Sequence, residues 1–224
     1  MSLVLPPLYV ILDAALFTTS EADVAKKLLG AGVRLFQYRN KRGSSRELLQ
    51  ASTTLTAELV PAGATFLVND RPDVAFLSGA SGVHVGQHDL PVAQSRAVLG
   101  QGKLLGVSTH TLEQFRAAAA TDADYIALGP VFATDSKANP DPVVGTAMIR
   151  KARKLTQKPI VAIGGITLER AREVLEAGAD SVAVISDILR APDPGKRARQ
   201  FVELLEPLAR KARSGAAKTG SARK

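Results

Sequence analysis

Short apolar, β-branched runs alternate along this chain with longer stretches in which apolar residues recur every three or four positions. The first pattern predicts buried strands and the second amphipathic helices, and their regular alternation predicts parallel βα units. Strands are predicted over 8–12, 33–39, 65–69, 82–85, 104–108, 125–128, 160–163 and 181–185. Helices are predicted over 21–29, 45–59, 111–119, 146–155 and 168–177, with shorter ones near 73–77 and 91–98 and a closing one over 194–208. Ser44 to Glu47 and Thr111 to Gln114 have capping-box spacing, in which each side chain satisfies a free backbone N–H. Gly30, Gly32 and Gly178 follow apolar helical runs, where glycine suits the left-handed turn of a C-cap. Four phrases, AGVRLFQ, SGASGVHVG, TDADYIALG and AGADSVAVI, are variants of one helix-exit-then-strand pattern. Eight such units predict a single closed (β/α)8 TIM barrel of parallel strands, ahead of an open doubly wound sheet.

Composition narrows the class. The length of 224 residues suits one barrel, and 46% hydrophobic with 22% charged residues describes a globular chain with a substantial core. No apolar run approaches the roughly 20 residues that span a bilayer, and residues 1–12 lack the basic start and cleavage site of a signal peptide. A soluble, cytoplasmic protein without a membrane partner is therefore expected. The absence of cysteine excludes disulfides, thiolate zinc sites and a thiol nucleophile. The net charge of +8 is uneven: residues 209–224 hold six basic and no acidic residues, and removing them leaves +2 on residues 1–208. That segment is expected to be a disordered basic tail outside a catalytic domain of residues 1–208. With three Tyr and no Trp to stack on bases, a nucleic-acid partner is disfavoured. Self-association into a homo-oligomer stays open.

In a βα barrel the working face lies just beyond the C-terminal ends of the strands. Polar residues collect there: Gln37-Tyr38-Arg39-Asn40-Lys41 after the second strand, Asn69-Asp70 after the third, Gln87-His88-Asp89 after the fourth, and Ser108-Thr109-His110 after the fifth. The sixth strand leads into the longest loop, residues 129–145, which carries Thr134, Asp135, Ser136 and Lys137. Gly164-Gly165 and Ser186 follow the last two strands, the usual place for a barrel phosphate site built from backbone N–H groups. Asp70 and Asp89 are hard oxygen ligands of the kind that suits Mg2+, and Arg39, Lys41 and Lys137 supply the cations that a Mg-diphosphate needs. His84 and His110 read as hydrogen-bonded packing residues. Ser108 lacks the G-x-S-x-G elbow of a serine hydrolase.

Seven motifs in order, QYRNK at 37–41, ND at 69–70, GVHVGQHD at 82–89, GVSTH at 106–110, GPVFATDSK at 129–137, AIGGI at 162–166 and VIS at 184–186, resemble the thiamine phosphate synthase family. The likeness covers roughly residues 8–205 and leaves the basic tail outside. It implies an enzyme that joins 4-amino-2-methyl-5-(hydroxymethyl)pyrimidine diphosphate to a thiazole phosphate, releasing pyrophosphate with Mg2+. By resemblance, Gln37, Tyr38, Arg39, Asn40, Lys41, Asn69, Ser108 and Lys137 bind the pyrimidine diphosphate, and Asp70 and Asp89 hold one Mg2+. Arg39, Lys41, Ser108 and Lys137 are its candidate catalytic residues; Thr134, Asp135, Ser136, Gly165, Ile185 and Ser186 match the thiazole phosphate site. Ser136 stands where the family often has threonine, and His88 where an acidic residue is common. Two rivals remain: a thiazole tautomerase of the same barrel family, and a non-enzymatic protein that binds acidic partners through its basic tail.

Overall fold

The computed structural model describes residues 3–134 and 141–220, residues 212–220 as backbone alone. Its elements alternate throughout: β1 (Leu8–Asp13), α1 (Glu21–Gly30), β2 (Leu35–Arg39), α2 (Ser45–Leu59), β3 (Thr65–Asn69), α3 (Pro72–Leu77), β4 (Gly82–Val85), α4 (Val92–Leu99), β5 (Leu104–Thr109) and α5 (Leu112–Ala119). After these come β6 (Tyr125–Leu128), α6 (Gly145–Arg153), β7 (Ile160–Ile163), α7 (Leu168–Glu176), β8 (Ser181–Val184), α8 (Ser186–Leu189) and α9 (Pro194–Gly220). Each strand pairs in parallel with the next, and β8 pairs with β1 through Leu8 and Val182, so the sheet closes as a (β/α)8 barrel.

The period-two alternation of each strand divides the core in two. One set of strand residues, with Val10, Leu12, Phe36, Tyr38, Phe66, Val68, Val83 and Val107 among them, faces the helices. The alternate set fills the barrel: Tyr9 and Ile11 of β1, Leu35 of β2, Leu67 of β3, Tyr125 and Ala127 of β6, Val161 of β7 and Ala183 of β8. Residues that continue this inner phase toward the C-terminal strand ends therefore point into the mouth of the barrel.

Helix entry follows the expected cap chemistry, with one exception. Ser44 and Glu47 form the reciprocal capping box. Thr111 caps the N–H of Gln114, but the Gln114 side chain accepts from the N–H of His110 (2.7 Å), one residue short of closing the box. Gly32 and Gly178 take the left-handed conformation, at φ +100° and +109°, whereas Gly30 is simply the last residue of α1.

Two short elements escape the helical period: a 3-10 turn at Ala14–Leu16 and the four-residue α8, which opens immediately beyond β8. The Asp187 carboxylate fixes α8 from below. It accepts from the N–H of Leu168 (3.3 Å) and from Arg197 Nε (2.9 Å), while Arg197 also reaches Glu169 (3.2 Å). Helix α9 continues past residue 208 to Gly220, against the expectation of a tail without structure. Its Ala, Arg and Lys residues are strong helix formers, so a segment too polar to build a core can still extend a helix already nucleated on the barrel. No helix among the described residues is long and apolar enough to cross a membrane.

Candidate active site

The mouth of the barrel opens into a pocket. Its floor is Tyr9, Ile11, Ala127, Val161 and Ala183, and its polar wall comes from β2 to β5 through Gln37, Arg39, Asn69, His84 and Ser108. The opposite wall is Thr134, Gly164, Gly165, Ile185 and Ser186. Residues expected to meet separate substrates thus line one cavity.

Strand phase decides which members of the 37–41 segment reach it. Gln37 and Arg39 share the inner phase of Leu35 and line the pocket. Tyr38 lies in the outer phase: its ring packs among the helix-facing residues and its hydroxyl donates to Glu21 Oε1 (3.2 Å). Burial pushes the Tyr38 phenol up to about 12, with the Glu21 charge adding to the effect. The Asn40 carboxamide oxygen accepts from the N–H groups of Arg42 (3.1 Å) and Gly43 (2.8 Å) and so shapes the turn out of β2. The sequence placed Tyr38 and Asn40 on the pyrimidine diphosphate; in the structure their side chains border a separate groove with Glu21, Glu47 and Gln50.

Arg39 does not stand alone. Its guanidinium is ion-paired with Asp13, the last residue of β1, which is 6% exposed and caps the turn at the N–H of Ala15 (3.1 Å). Asp13 went unnoticed in the sequence, although it continues the inner phase of Tyr9 and Ile11 as Arg39 continues that of Leu35. The β1 to β2 register confirms the pairing, with Asp13 opposite Arg39.

Asp70 has φ +65°, the one left-handed non-glycine among the described residues. Strain of this kind clusters at functional sites. Its N–H donates to the carbonyl of His84 (2.7 Å), and its carboxylate is ion-paired with Lys41. The Asp89 carboxyl lies within its reach; burial foremost, and then Asp89, raise the Asp70 carboxyl above its ordinary range against the pull of Lys41. Asp89 also accepts from the N–H of Gly86 (2.8 Å), which holds it at the end of β4.

On the far wall, Gly164 and Gly165 have φ +100° and +62°. A Cβ at Gly164 would lie 2.4 Å from Pro130 Cβ, and one at Gly165 2.3 Å from the Ala133 carbonyl oxygen. Only glycine lets the start of the β6–α6 loop lie against the end of β7, where Val131 and Phe132 donate to Ile163 (2.8 Å) and Gly164 (3.0 Å). Asp135, Ser136 and Lys137 lie outside the described residues.

His84 and His110 are both hydrogen-bonded, as expected. His110 Nδ1 lies 2.7 Å from the Gly129 carbonyl oxygen. His84 is more informative, because its Nε2 meets Ser108 Oγ and its Nδ1 meets the Tyr125 hydroxyl, each at 2.8 Å.

The family model described as thiamine monophosphate synthase matches residues 8–188. The chain belongs to the thiamine monophosphate synthase family. As a member it is an enzyme, a transferase. It is 50% identical over 206 residues to the thiamine-phosphate synthase of Koribacter versatilis, covering 90% of this chain and 96% of that one. The corresponding protein of Methanospirillum hungatei is 40% identical over 199 residues, covering 88% and 97%. Among solved structures, the thiamine phosphate pyrophosphorylase of Pyrococcus furiosus superimposes with a TM-score of 0.82 at 33% identity, over 90% of this chain and 96% of that one. A 3-hexulose-6-phosphate synthase matches at a TM-score of 0.64 and 20% identity, a likeness of fold alone.

Proposed function

We propose that this chain makes thiamine phosphate by joining 4-amino-2-methyl-5-(hydroxymethyl)pyrimidine diphosphate to a thiazole phosphate, with release of pyrophosphate. The observation that carries the reading is the division of the pocket. A polar side at β2 to β4, with Gln37, Arg39 and Asn69 in the pocket and the Lys41–Asp70 pair and Asp89 at the same strand ends but outside its lining, faces a glycine-lined, hydroxyl-bearing side at β7 and β8. One side suits a metal-diphosphate and the other a monophosphate.

Asp70 and Asp89 fit a Mg2+ ion. They are two hard carboxylates held together at neighbouring strand ends, and no cluster of three or more potential ligands occurs among the described residues. Such a pair leaves the remaining coordination positions to water and substrate phosphate, the usual arrangement for this ion. When bound, Mg2+ would neutralise charge on the departing pyrophosphate. Arg39, fixed by Asp13, and Lys41 would bind the diphosphate, with Lys137 contributing from the loop. Gln37, Asn69 and Ser108 would orient the pyrimidine, while Thr134, Ser136, Gly165, Ile185 and Ser186 would hold the thiazole phosphate. Loss of pyrophosphate leaves an electron-rich, stabilised pyrimidine cation, which the thiazole nitrogen attacks. Electrostatic preorganisation supplies the catalysis, and no protein nucleophile is required.

The test mixes both heterocyclic substrates with Mg2+ and follows thiamine phosphate and pyrophosphate in equal amounts. Asp89→Ala and Lys137→Ala should each lower turnover by about a hundredfold or more with a folded barrel retained. No product from the unmodified chain, or full activity in either variant, overturns the assignment.

A further inference from the structure

Along the floor and polar wall of the pocket, five side chains, of which Tyr125 alone lies outside its lining, form an unbroken run of hydrogen bonds across the barrel interior. Gln37 Nε2 donates to the Tyr9 hydroxyl (2.7 Å), which lies 3.1 Å from the Tyr125 hydroxyl. Tyr125 in turn meets His84 Nδ1 (2.8 Å), and His84 Nε2 meets Ser108 Oγ (2.8 Å). Tyr9, Gln37, His84 and Tyr125 are at most 7% exposed. The two ends of the run, Gln37 and Ser108, belong to the pocket wall.

Such a run has a direction. Each phenol has one proton to give and a neutral imidazole has one N–H, so every interior member accepts one bond and donates the next. With Gln37 Nε2 donating, Tyr9 donates to Tyr125, Tyr125 to Nδ1 of His84, and His84 Nε2–H to Ser108. Ser108 then has its own proton to offer the pocket, and Gln37 offers its carbonyl oxygen, which has no partner among the described residues. Reversing the run reverses all four links at once and exchanges donor and acceptor at both ends. In either direction one end donates where the other accepts. Burial raises both tyrosines far above the ordinary phenol range, so neither proton is lost. A chain of aligned dipoles in a low-dielectric interior resists the breaking of a single link.

We infer that Tyr9, Tyr125 and His84 are positioning residues that set opposite hydrogen-bonding polarity on Gln37 and Ser108, and thereby select a heteroaromatic ring whose edge carries a donor beside an acceptor. The amino group and adjacent ring nitrogen of a 4-aminopyrimidine form such an edge. This inference rests on the proposed substrate and adds the origin of its selectivity, since a buried polar group left unpaired by the wrong ring costs binding.

The experiment measures calorimetric binding of 4-amino-2-methyl-5-(hydroxymethyl)pyrimidine diphosphate and of its 4-deamino analogue to the full chain with Mg2+, without the second substrate. The unmodified chain should prefer the amino compound by about tenfold or more, a difference typical of a lost hydrogen bond to a buried partner. Tyr125→Phe keeps the ring and cuts the run; the preference should fall to about twofold while both compounds still bind through the diphosphate. Tyr9→Phe, at the neighbouring link, should do the same and serves where Tyr125→Phe fails to fold. A merely structural role would weaken both compounds alike and leave their ratio unchanged, which overturns the inference. Failure of the unmodified chain to bind the amino compound overturns the proposed substrate and the inference with it.

Discussion

Gly106 tests whether the interior of this barrel is as tightly determined as its hydrogen bonds suggest. It lies on β5 opposite Tyr125 of β6, and a Cβ added there would lie 2.0 Å from Tyr125 Cζ, 2.3 Å from its hydroxyl oxygen and 2.5 Å from Cε1. Carbon atoms in contact normally keep about 3.5–4.0 Å, so in Gly106→Ala the ring must retreat by more than an ångström. It has nowhere to go. Tyr125 is 0% exposed, stacks on His84 at 5.5 Å between ring centroids, and meets the edge of Tyr9 at 6.2 Å. Overpacking costs about 1–3 kcal/mol, and the upper end applies because the obstruction is a ring carbon and not the tip of a flexible side chain. For a domain of this size about 3 kcal/mol corresponds to a fall in Tm of roughly 6–12 °C. Displacement of Tyr125 also breaks its contacts to His84 and Tyr9, so kcat/KM for thiamine phosphate formation should fall by about tenfold to a hundredfold. Thermal melting followed by circular dichroism reads the first effect and steady-state kinetics the second. In a Tyr125→Ala background the added methyl meets no ring, and Gly106→Ala should be nearly neutral, a large non-additivity expected of residues in direct contact. A Gly106→Ala variant that melts within about 2 °C of the unmodified chain would refute the reasoning.

Three further outcomes follow from the rim. Asp13→Asn removes the anion that fixes Arg39; the guanidinium side chain is 21% exposed and partly hydrated, so the cost should be about 1–3 kcal/mol, below that of a fully buried pair. Urea titration measures it, and kcat/KM should fall at least about tenfold. Gly165→Ala forces a methyl against the Ala133 carbonyl at a left-handed residue and should lower affinity for the thiazole phosphate about tenfold, measured by calorimetry, with the pyrimidine diphosphate bound as before. The Thr167 hydroxyl, its own N–H and Arg197 hold the Glu169 carboxyl down at about 2, below its unfolded value. Its contribution is therefore present above pH 4.5 and is lost as pH falls toward 2. Glu169 is 69% exposed, so Glu169→Gln should flatten the acid limb of a Tm-against-pH curve only slightly.

The barrel itself is legible in the chain because its two signals, period two in the strands and three-to-four in the helices, are local. The predicted strands over 65–69, 82–85, 125–128 and 160–163 coincide with β3, β4, β6 and β7, whereas closure, which strand count and period leave open, is decided by the pairing of β8 with β1. What escapes is too short to have a period, as with α8, or depends on tertiary context. Residues 209–220 illustrate the second case: their composition resists burial without preventing helix, and α9 nucleates on the barrel before it reaches them. Asp13 illustrates another. One polar residue after LYVIL reads as a strand ending, and only its register opposite Arg39 makes it part of the site.

The rim residues carry a more general lesson about reading such barrels. Collecting polar residues near strand ends gathers side chains around the barrel mouth but treats 37–41 as one unit, whereas the pleat sends Gln37 and Arg39 into the pocket and Tyr38 to the helices. Counting in steps of two from the buried core makes the distinction without coordinates. From Tyr9 it reaches Ile11 and Asp13; from Leu35, Gln37 and Arg39; from Leu67, Asn69; from Gly82, His84; from Leu104, Gly106 and Ser108. The same count explains why Tyr9, Tyr125 and His84 can touch although they come from three strands: they share one inward phase, and Gly106 leaves the space in which the Tyr125 ring lies. The inner layer is therefore continuous with the site above it, and a substitution on the barrel floor should reach the pocket through hydrogen bonds as well as lowering the stability of the fold.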